Sequence, residues 1–418
     1  MNNPMVDILK EEIYKGDNAQ KICDLVISAA ASMGASDIHI EPLSNVVRIR
    51  YRVDGVLEEV LEYQLFLHPQ IVARYKILSN LKIDESRIPQ DGRISITLDG
   101  RWLDMRVSTL PTVVGEKIVM RIVDKSKKAP PLEQLGIEGK NGKILERAIA
   151  LPNGIILTSG PTGSGKSTTL YSCLAKLNTP NVNIMTLEDP VENTIDGVNQ
   201  SQIFPTIGYT FATGLRTALR QDPDIIMVWE IRDTETINIA IEASLTWHLV
   251  LSTIHTNSAA ETITRILNMG IQAFLLPASI NAIIAQRLIR RLCDCKKPIS
   301  ADDLDEKTKQ SVRRAIARTD KQELADRVPK EILANPIFYE ACGCEKCNQT
   351  GYKGRVGIYE IMEITPKIKT LILENASGVT INEVAITEGM ISLEQDGIMK
   401  ALNGLTSLTE VYAAAKEE

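Results

Sequence analysis

Gly160-Pro-Thr-Gly-Ser-Gly-Lys166-Ser167 has the spacing G-x-x-x-x-G-K-[ST], a pattern built to hold phosphate. Glycines let successive backbone N–H groups turn inward around phosphate oxygens. Lys166 can reach the β- and γ-phosphates, and the Ser167 hydroxyl can hold Mg²⁺. The nucleotide-binding set is therefore Gly160, Pro161, Thr162, Gly163, Ser164, Gly165, Lys166, Ser167 and Thr168. The pattern carries meaning only between a strand and a helix. Here an apolar run at 155–158 precedes it and a helical pattern at 166–177 follows.

Cleaving a triphosphate needs acids that hold metal and orient water, and cations that neutralise the γ-phosphate. Glu188 and Asp189 follow the apolar run 182–187, and Glu230 follows 225–228. Carboxylates at the ends of parallel strands face the crevice onto which a phosphate loop opens. A loop acid alone is ordinarily just solvated, but beside such a loop it becomes a candidate for catalysis. His248 and His255 flank the run 249–253, and His255 lies where it could meet the γ-phosphate.

A second chemistry sits near the C-terminus. Five of the seven cysteines fall after residue 290, which is no disulfide framework and points to a metal site in a reducing compartment. Cys344 and Cys347 form a C-x-x-C pair, and Cys293 and Cys295 a C-x-C pair. Four thiolates from two loops suit tetrahedral Zn²⁺ and would staple a small module without a core of its own. The short first pair leaves two options: its loop adjusts, or Cys342 takes one place.

These groups need elements to position them. A chain of 418 residues corresponds to two to four domains. A net charge of -6 argues against a nucleic-acid coat or a polybasic membrane anchor. Residues 1–12 are polar and acidic, unlike a secretory signal. No run reaches the ~18 apolar residues of a membrane span; the nearest, 273–288, is broken by Pro277, Ser279, Asn281 and Gln286. The first third reads α+β. A helix is expected at 18–33, followed by a strand at 46–53, Asp54-Gly55 and a returning strand at 56–60. The same device recurs at 94–98, Asp99-Gly100 and 103–107, with a further strand at 117–123. Residues 125–131 (KSKKAPP) read as linker. Beyond them strand, loop and helix alternate as in a parallel α/β sheet, with strands at 154–158, 182–187, 225–228 and 248–252. The charged stretch 300–336 reads as surface helices. The tail from Thr365 reads as helical, with capping-box spacing at Thr380/Glu383 and Ser407/Glu410.

Eight motifs now stand in order: Ala35-Ser-Asp-Ile-His-Ile-Glu-Pro42, Arg87-Ile-Pro-Gln-Asp-Gly-Arg93, Met105-Arg-Val-Ser-Thr109, the phosphate loop, Thr186-Leu-Glu-Asp-Pro-Val-Glu192, Leu219-Arg-Gln-Asp-Pro-Asp224, Glu230-Ile-Arg-Asp233 and His255-Thr-Asn257. Together they closely resemble the secretion ATPase superfamily, the assembly motors of type II secretion and type IV pili, from about residue 18 onward. The resemblance implies an α/β fold: a RecA-like P-loop core with an N-terminal PAS-like α+β domain, a tetracysteine zinc module and a C-terminal helical region. The expected divisions are 1–124, a linker at 125–134, 135–290, 291–356 and 357–418.

In that family the 186–192 segment is an Asp box, Glu230 the Walker B acid and His248/His255 a His box. The resemblance therefore implies Glu188 as the water-activating base and Glu230 as the acid on the Mg²⁺ side, or the reverse. It also implies Arg93 and Arg106, together with Arg87, as arginines that close over ATP. For Arg48, Arg50 and Arg52 a solvated strand face is the plain reading, with a subunit contact as the alternative. Asn348, Gly351 and Tyr352 follow the second cysteine pair as in the family's zinc module, a feature of extension and secretion motors and not of retraction motors. The implied protein is a cytoplasmic homo-hexamer using ATP, Mg²⁺ and Zn²⁺. It would work through an inner-membrane platform protein and a cytoplasmic docking protein, with no nucleic-acid partner and no direct membrane insertion. The near absence of sequence before the PAS-like domain points to a short-form or truncated member.

Two departures stand out. Trp229 and Trp247 occupy places where the family has glycine, directly before Glu230 and His248. Glycine at such places marks close backbone approach. An indole there should cost about 1–3 kcal/mol if its neighbours cannot move. It should also displace Glu230 and slow turnover. This keeps a hydrolysis-impaired, nucleotide-binding structural member as one alternative; a nucleic-acid-translocating P-loop motor is another.

Overall fold

The computed structural model describes residues 3–16, 18–98, 100–126 and 128–415. The chain divides into two compact units, Met1–Lys128 with Gly343–Lys353, and Ala129–Cys342 with Gly354–Glu418.

The first unit holds helices α1 (Pro4–Lys15), α2 (Ala19–Ser32) and α3 (His68–Leu78) and strands β1 (Asp37–Pro42), β2 (Val46–Val53), β3 (Val56–Gln64), β4 (Gln90–Leu98), β5 (Arg101–Pro111) and β6 (Glu116–Asp124). The strands form one antiparallel sheet in the order β3-β2-β1-β6-β5-β4. Alternation along β2 sends Val47, Ile49 and Tyr51 into the core with Ile22, Val26 and Tyr75. The opposite face carries its arginines, and these are internally paired. Arg50 donates to Glu41 at 2.8 and 2.9 Å, Lys117 lies 2.8 Å from Glu41, and Arg52 lies 3.6 Å from Asp37. Burial pushes the Glu41 carboxyl up, but Arg50 and Lys117 outweigh it and hold its pKa at about 2. The turn at Asp54-Gly55 has φ of 48° and 90°, as a tight hairpin requires. Of the second expected turn, Asp99 lies outside the described residues and Gly100 has φ 75°.

In the second unit seven strands form one sheet. They are β7 (Gly154–Ser159), β8 (Ile184–Glu188), β9 (Asn199–Gln202), β10 (Ile225–Trp229), β11 (Leu249–Ile254), β12 (Ile280–Leu292) and, after the separate hairpin β13 (Lys297–Ser300) and β14 (Ile337–Glu340), β15 (Tyr352–Glu363). Their order is β15-β12-β7-β11-β10-β8-β9, with parallel pairing from β12 across to β9. The main helices are α4 (Gly139–Ile149), α5 (Lys166–Leu177), α6 (Phe211–Ala218), α7 (Thr234–Leu245) and α8 (Ala259–Asn268), then the single turn α9 (Leu276–Ser279). Ile155 and Leu157 enter the core on one face of the sheet and Ile156 the core on the other, so β7 is buried on both sides.

The charged stretch folds as α10 (Glu306–Arg318), α11 (Lys321–Arg327) and α12 (Lys330–Ala334), and the tail as α13 (Pro366–Leu373), α14 (Gly378–Thr387), α15 (Leu393–Leu402) and α16 (Leu408–Ala415). The tail is tied to the unit by a buried charge cluster. Asp396 lies 2.6 Å from Arg327 and 2.7 Å from Lys400, and both Asp396 and Lys400 are fully buried.

One strand lies where the sequence pattern marks none, and one capping expectation changes. Residues 280–292, inside and beyond the run weighed as a membrane span, form a strand beside β7; a run buried on both faces carries no periodicity to separate helix from strand. Thr380 is not a cap: Ser377 accepts the Thr380 N–H at 3.2 Å and caps α14. Ser407 accepts the Glu410 N–H at 3.3 Å, as the spacing predicts, and the Glu410 carboxylate accepts from Arg290 at 2.6 Å. Among the described residues no helix is long and apolar enough to cross a membrane.

Candidate functional site

The phosphate loop runs from the end of β7 to the start of α5, which is where a strand–loop–helix anion site must lie. Gly160 has φ 141°, and a Cβ there would stand 2.5 Å from the Gln286 carbonyl oxygen. Only glycine fits. Gly163 has φ 82° with open space beside it, so its demand is purely conformational. The Ser164 hydroxyl is buried inside the loop without a partner among the described residues. Lys166 is buried, and its Nζ donates to the carbonyls of Gly160 and Pro161 at 2.7 and 3.0 Å. Burial brings its pKa down to about 8, with Glu230 opposing and Arg287 adding to the fall. Ser167 is half-buried in the first turn of α5, and Thr168 beside it is exposed. A glycine cradle, an orphaned hydroxyl and a desolvated amine fit a triphosphate with Mg²⁺ held at Ser167.

The two acids stand in different surroundings. Glu230 directly follows β10; its carboxylate accepts from Arg232 Nε at 2.6 Å and lies 2.5 Å from His255 Nε2. Burial would raise its pKa, but Arg232 and His255 prevail and keep it below the ordinary carboxylate value. Its charge is felt by Lys166. Glu188 closes β8 and is buried. It accepts from Tyr171, from Thr186 at 2.5 Å and from Gln200 at 3.0 Å. Burial outweighs those three donors and leaves its pKa raised. Asp189 lies 3.6 Å from Arg232. The structure thus brings Lys166, Glu230, His255 and Arg232 together, with Glu188 on the neighbouring strand. His248 does not join them: its Nδ1 lies 3.0 Å from the Ala243 carbonyl, at the end of α7.

The two tryptophans stand in different surroundings. Trp247 is 75 % exposed with φ 68°, so the place calls for a left-handed backbone and not for close approach. Trp229 is half-buried against the core that also holds Met227 and Ile184. The Glu230 carboxylate keeps both of its partners beside this indole.

In the first unit Arg93 and Arg106 lie directly opposite each other across β4 and β5. With Arg121 and Asp37 they line an open cavity of about 530 Å³. Arg87 is turned to Glu85 at 2.9 Å on an exposed loop. The sulfurs of Cys293, Cys295, Cys344 and Cys347 lie within 4.8 Å of one another, and Cys342 stays outside as an exposed thiol. Cys347 Sγ accepts the N–H groups of Cys344 and Gly351, both at 3.2 Å. Four clustered sulfurs, one of them held by two backbone N–H groups, fit tetrahedral Zn²⁺.

Sequence reasoning missed Arg232, Tyr171, Gln200 and Gln286. Gln286 did leave a signal. It breaks an otherwise apolar run, and a polar side chain in a buried strand must have partners.

The sequence model of the type II/IV secretion system protein family matches residues 15–413. The type II secretion system ATPase E of Vibrio cholerae is 46 % identical over 95 % of this chain and 75 % of its own length. The type IV pilus assembly ATPase PilB of Myxococcus xanthus is 45 % identical over 97 % of this chain and 71 % of its own. Among solved structures, the Legionella pneumophila ATPase DotB superposes with a TM-score of 0.67 at 22 % identity, covering 94 % of this chain and 95 % of that one, a likeness of fold. The pilus retraction motor PilT with bound ADP does so with 0.60 at 26 % identity, covering 94 % and 97 %. Kinship at this level runs through both the arginine-bearing sheet and the phosphate loop, and the chain belongs to the type II/IV secretion system protein family.

Proposed function

We propose that this chain is the ATP-hydrolysing motor subunit of a type II secretion or type IV pilus assembly machine. It works as a cytoplasmic homo-hexamer against an inner-membrane platform protein, recruited by a cytoplasmic docking protein. One observation carries the hydrolytic part: an ionised Glu230, held by His255 and Arg232, faces the field of a desolvated Lys166 at a phosphate loop.

The loop N–H groups hold the phosphates and Lys166 balances their charge. Ser167 and Glu230 are the residues to hold Mg²⁺, which when bound supplies charge neutralisation at the phosphoryl oxygens. His255 keeps Glu230 oriented. Glu188, whose raised pKa makes it a better proton acceptor near neutrality, takes the proton of the attacking water. Arg93 and Arg106 close over the γ-phosphate. Zn²⁺ on the four cysteines is a structural staple.

Steady-state phosphate release tests this. Glu188→Gln should fall by about 10²-fold or more while still binding ATP. Glu230→Gln should fall as far and need more Mg²⁺ for half-maximal rate. Wild-type rates in both would end the proposal.

A further inference from the structure

We propose that Gln286 is a positioning residue for the phosphate loop. Its amide pins the loop from the neighbouring strand and keeps the loop N–H groups aimed at phosphate. Gln286 is 1 % exposed. Its Nε2 donates to the Ser164 carbonyl at 2.7 Å, and its Oε1 accepts from Thr169 Oγ1 on α5 at 2.8 Å. A Cβ at Gly165 would stand 3.1 Å from Nε2, and one at Gly160 would stand 2.5 Å from the Gln286 carbonyl oxygen. One residue of β12 therefore touches both ends of the loop and the helix that follows it.

The need for it is general. A loop that turns its N–H groups inward for a ligand turns carbonyls outward, and buried carbonyls require donors. Lys166 serves Gly160 and Pro161, but it is also the cation a phosphate would draw away. Gln286 is neutral across the working pH range, so its hold on Ser164 does not depend on the state of the ligand. The next residue extends the grip: Arg287 donates to the Asn257 carbonyl at 3.0 Å, on the segment that carries His255.

The inference rests on the reading that this loop binds a triphosphate, and Mg·ATP binding by calorimetry on the full chain separates the two. In Gln286→Leu the Ser164 carbonyl loses its donor. Its Kd and KM should rise about 10- to 100-fold with kcat within about threefold of wild type. Gln286→Glu supplies a readout that simple loss of packing would not move. The carboxylate cannot donate, whereas the carboxylic acid can. At a place only 1 % exposed the introduced carboxyl is pushed above its ordinary range and regains its proton as pH falls, so the ratio of its Kd to that of wild type should shrink at least about fivefold between pH 8.5 and pH 5. Wild-type affinity in Gln286→Leu overturns the proposal. Should that variant fail to fold, a ratio for Gln286→Glu that does not change with pH overturns it. No binding by the wild-type chain overturns the nucleotide reading itself, and this inference with it.

Discussion

Lys166 pays for its place in the loop. Burial removes water from the ammonium, and two backbone carbonyls only partly replace it, so its pKa falls from 10.5 to about 8. A lysine with a lowered folded pKa weakens the fold below about pH 8, and that cost fades as pH rises from 8 towards 10.5. A bound triphosphate reverses the shift by favouring the charged form. Binding must then take up a proton wherever the free amine is neutral. At pH 8.5 binding should take up a proton at a substantial fraction of sites, with affinity falling as pH rises further. Calorimetry in buffers of different ionisation heat measures it, and an enthalpy independent of buffer would contradict it. Trp229 makes a second case. Its indole stands beside a Glu230 carboxylate that is paired with His255 and Arg232. The indole is better described as a half-buried member of the core under β10. Trp229→Gly should accordingly lower stability by about 2 kcal/mol and leave steady-state phosphate release within about twofold. A several-fold faster variant would restore the steric account.

Strands with one wet face were legible because alternation marks them. β2 carries three buried apolar residues between arginines, and its bounds match the sequence pattern. β1 and α3 were not foreseen. In β1, Asp37 and Glu41 are buried through their pairing with arginines and Lys117, which erases the alternation. In α3, Lys76 is buried against Glu116 at 2.7 Å, so the apolar stripe has a charge in it. The site followed the same rule. Residues tied to a short motif can be named as candidates from sequence, whereas Gln286 and Tyr171 make their contacts across elements far apart in sequence, and one chain's spacing does not encode that. The cysteine pairs fall between these cases. Spacing alone left Cys342 in contention, and only the folded loops exclude it. Cys342→Ser should therefore keep one zinc per chain, while Cys295→Ser should lose it and lower the unfolding temperature. Zinc released to a chromogenic chelator after thiol modification reads this out. Equal zinc in both variants would show that three cysteines suffice.

A motor must turn the presence of a γ-phosphate into a change of shape, and the size of the effect is constrained. Moving a two-state population from 1:99 to 99:1 takes about 5.5 kcal/mol of differential binding. Two charge-assisted hydrogen bonds give about 3–6 kcal/mol together. Arg93 is exposed and Arg106 half-buried, so solvent competition keeps their sum near the lower end. At about 3 kcal/mol the two arginines fall short of that full shift, so closure driven by them has nothing to spare. Losing either one should then leave the chain mostly open even with saturating nucleotide, instead of halving the response. Solution scattering on the full chain, with and without a non-hydrolysable ATP analogue, tests this. Wild type should contract on binding, Arg93→Ala and Arg106→Ala should bind yet contract little, and Lys166→Ala should do neither. A double-arginine variant that contracts like wild type would move the latch elsewhere. Contraction of Lys166→Ala would separate the change of shape from the phosphate loop altogether.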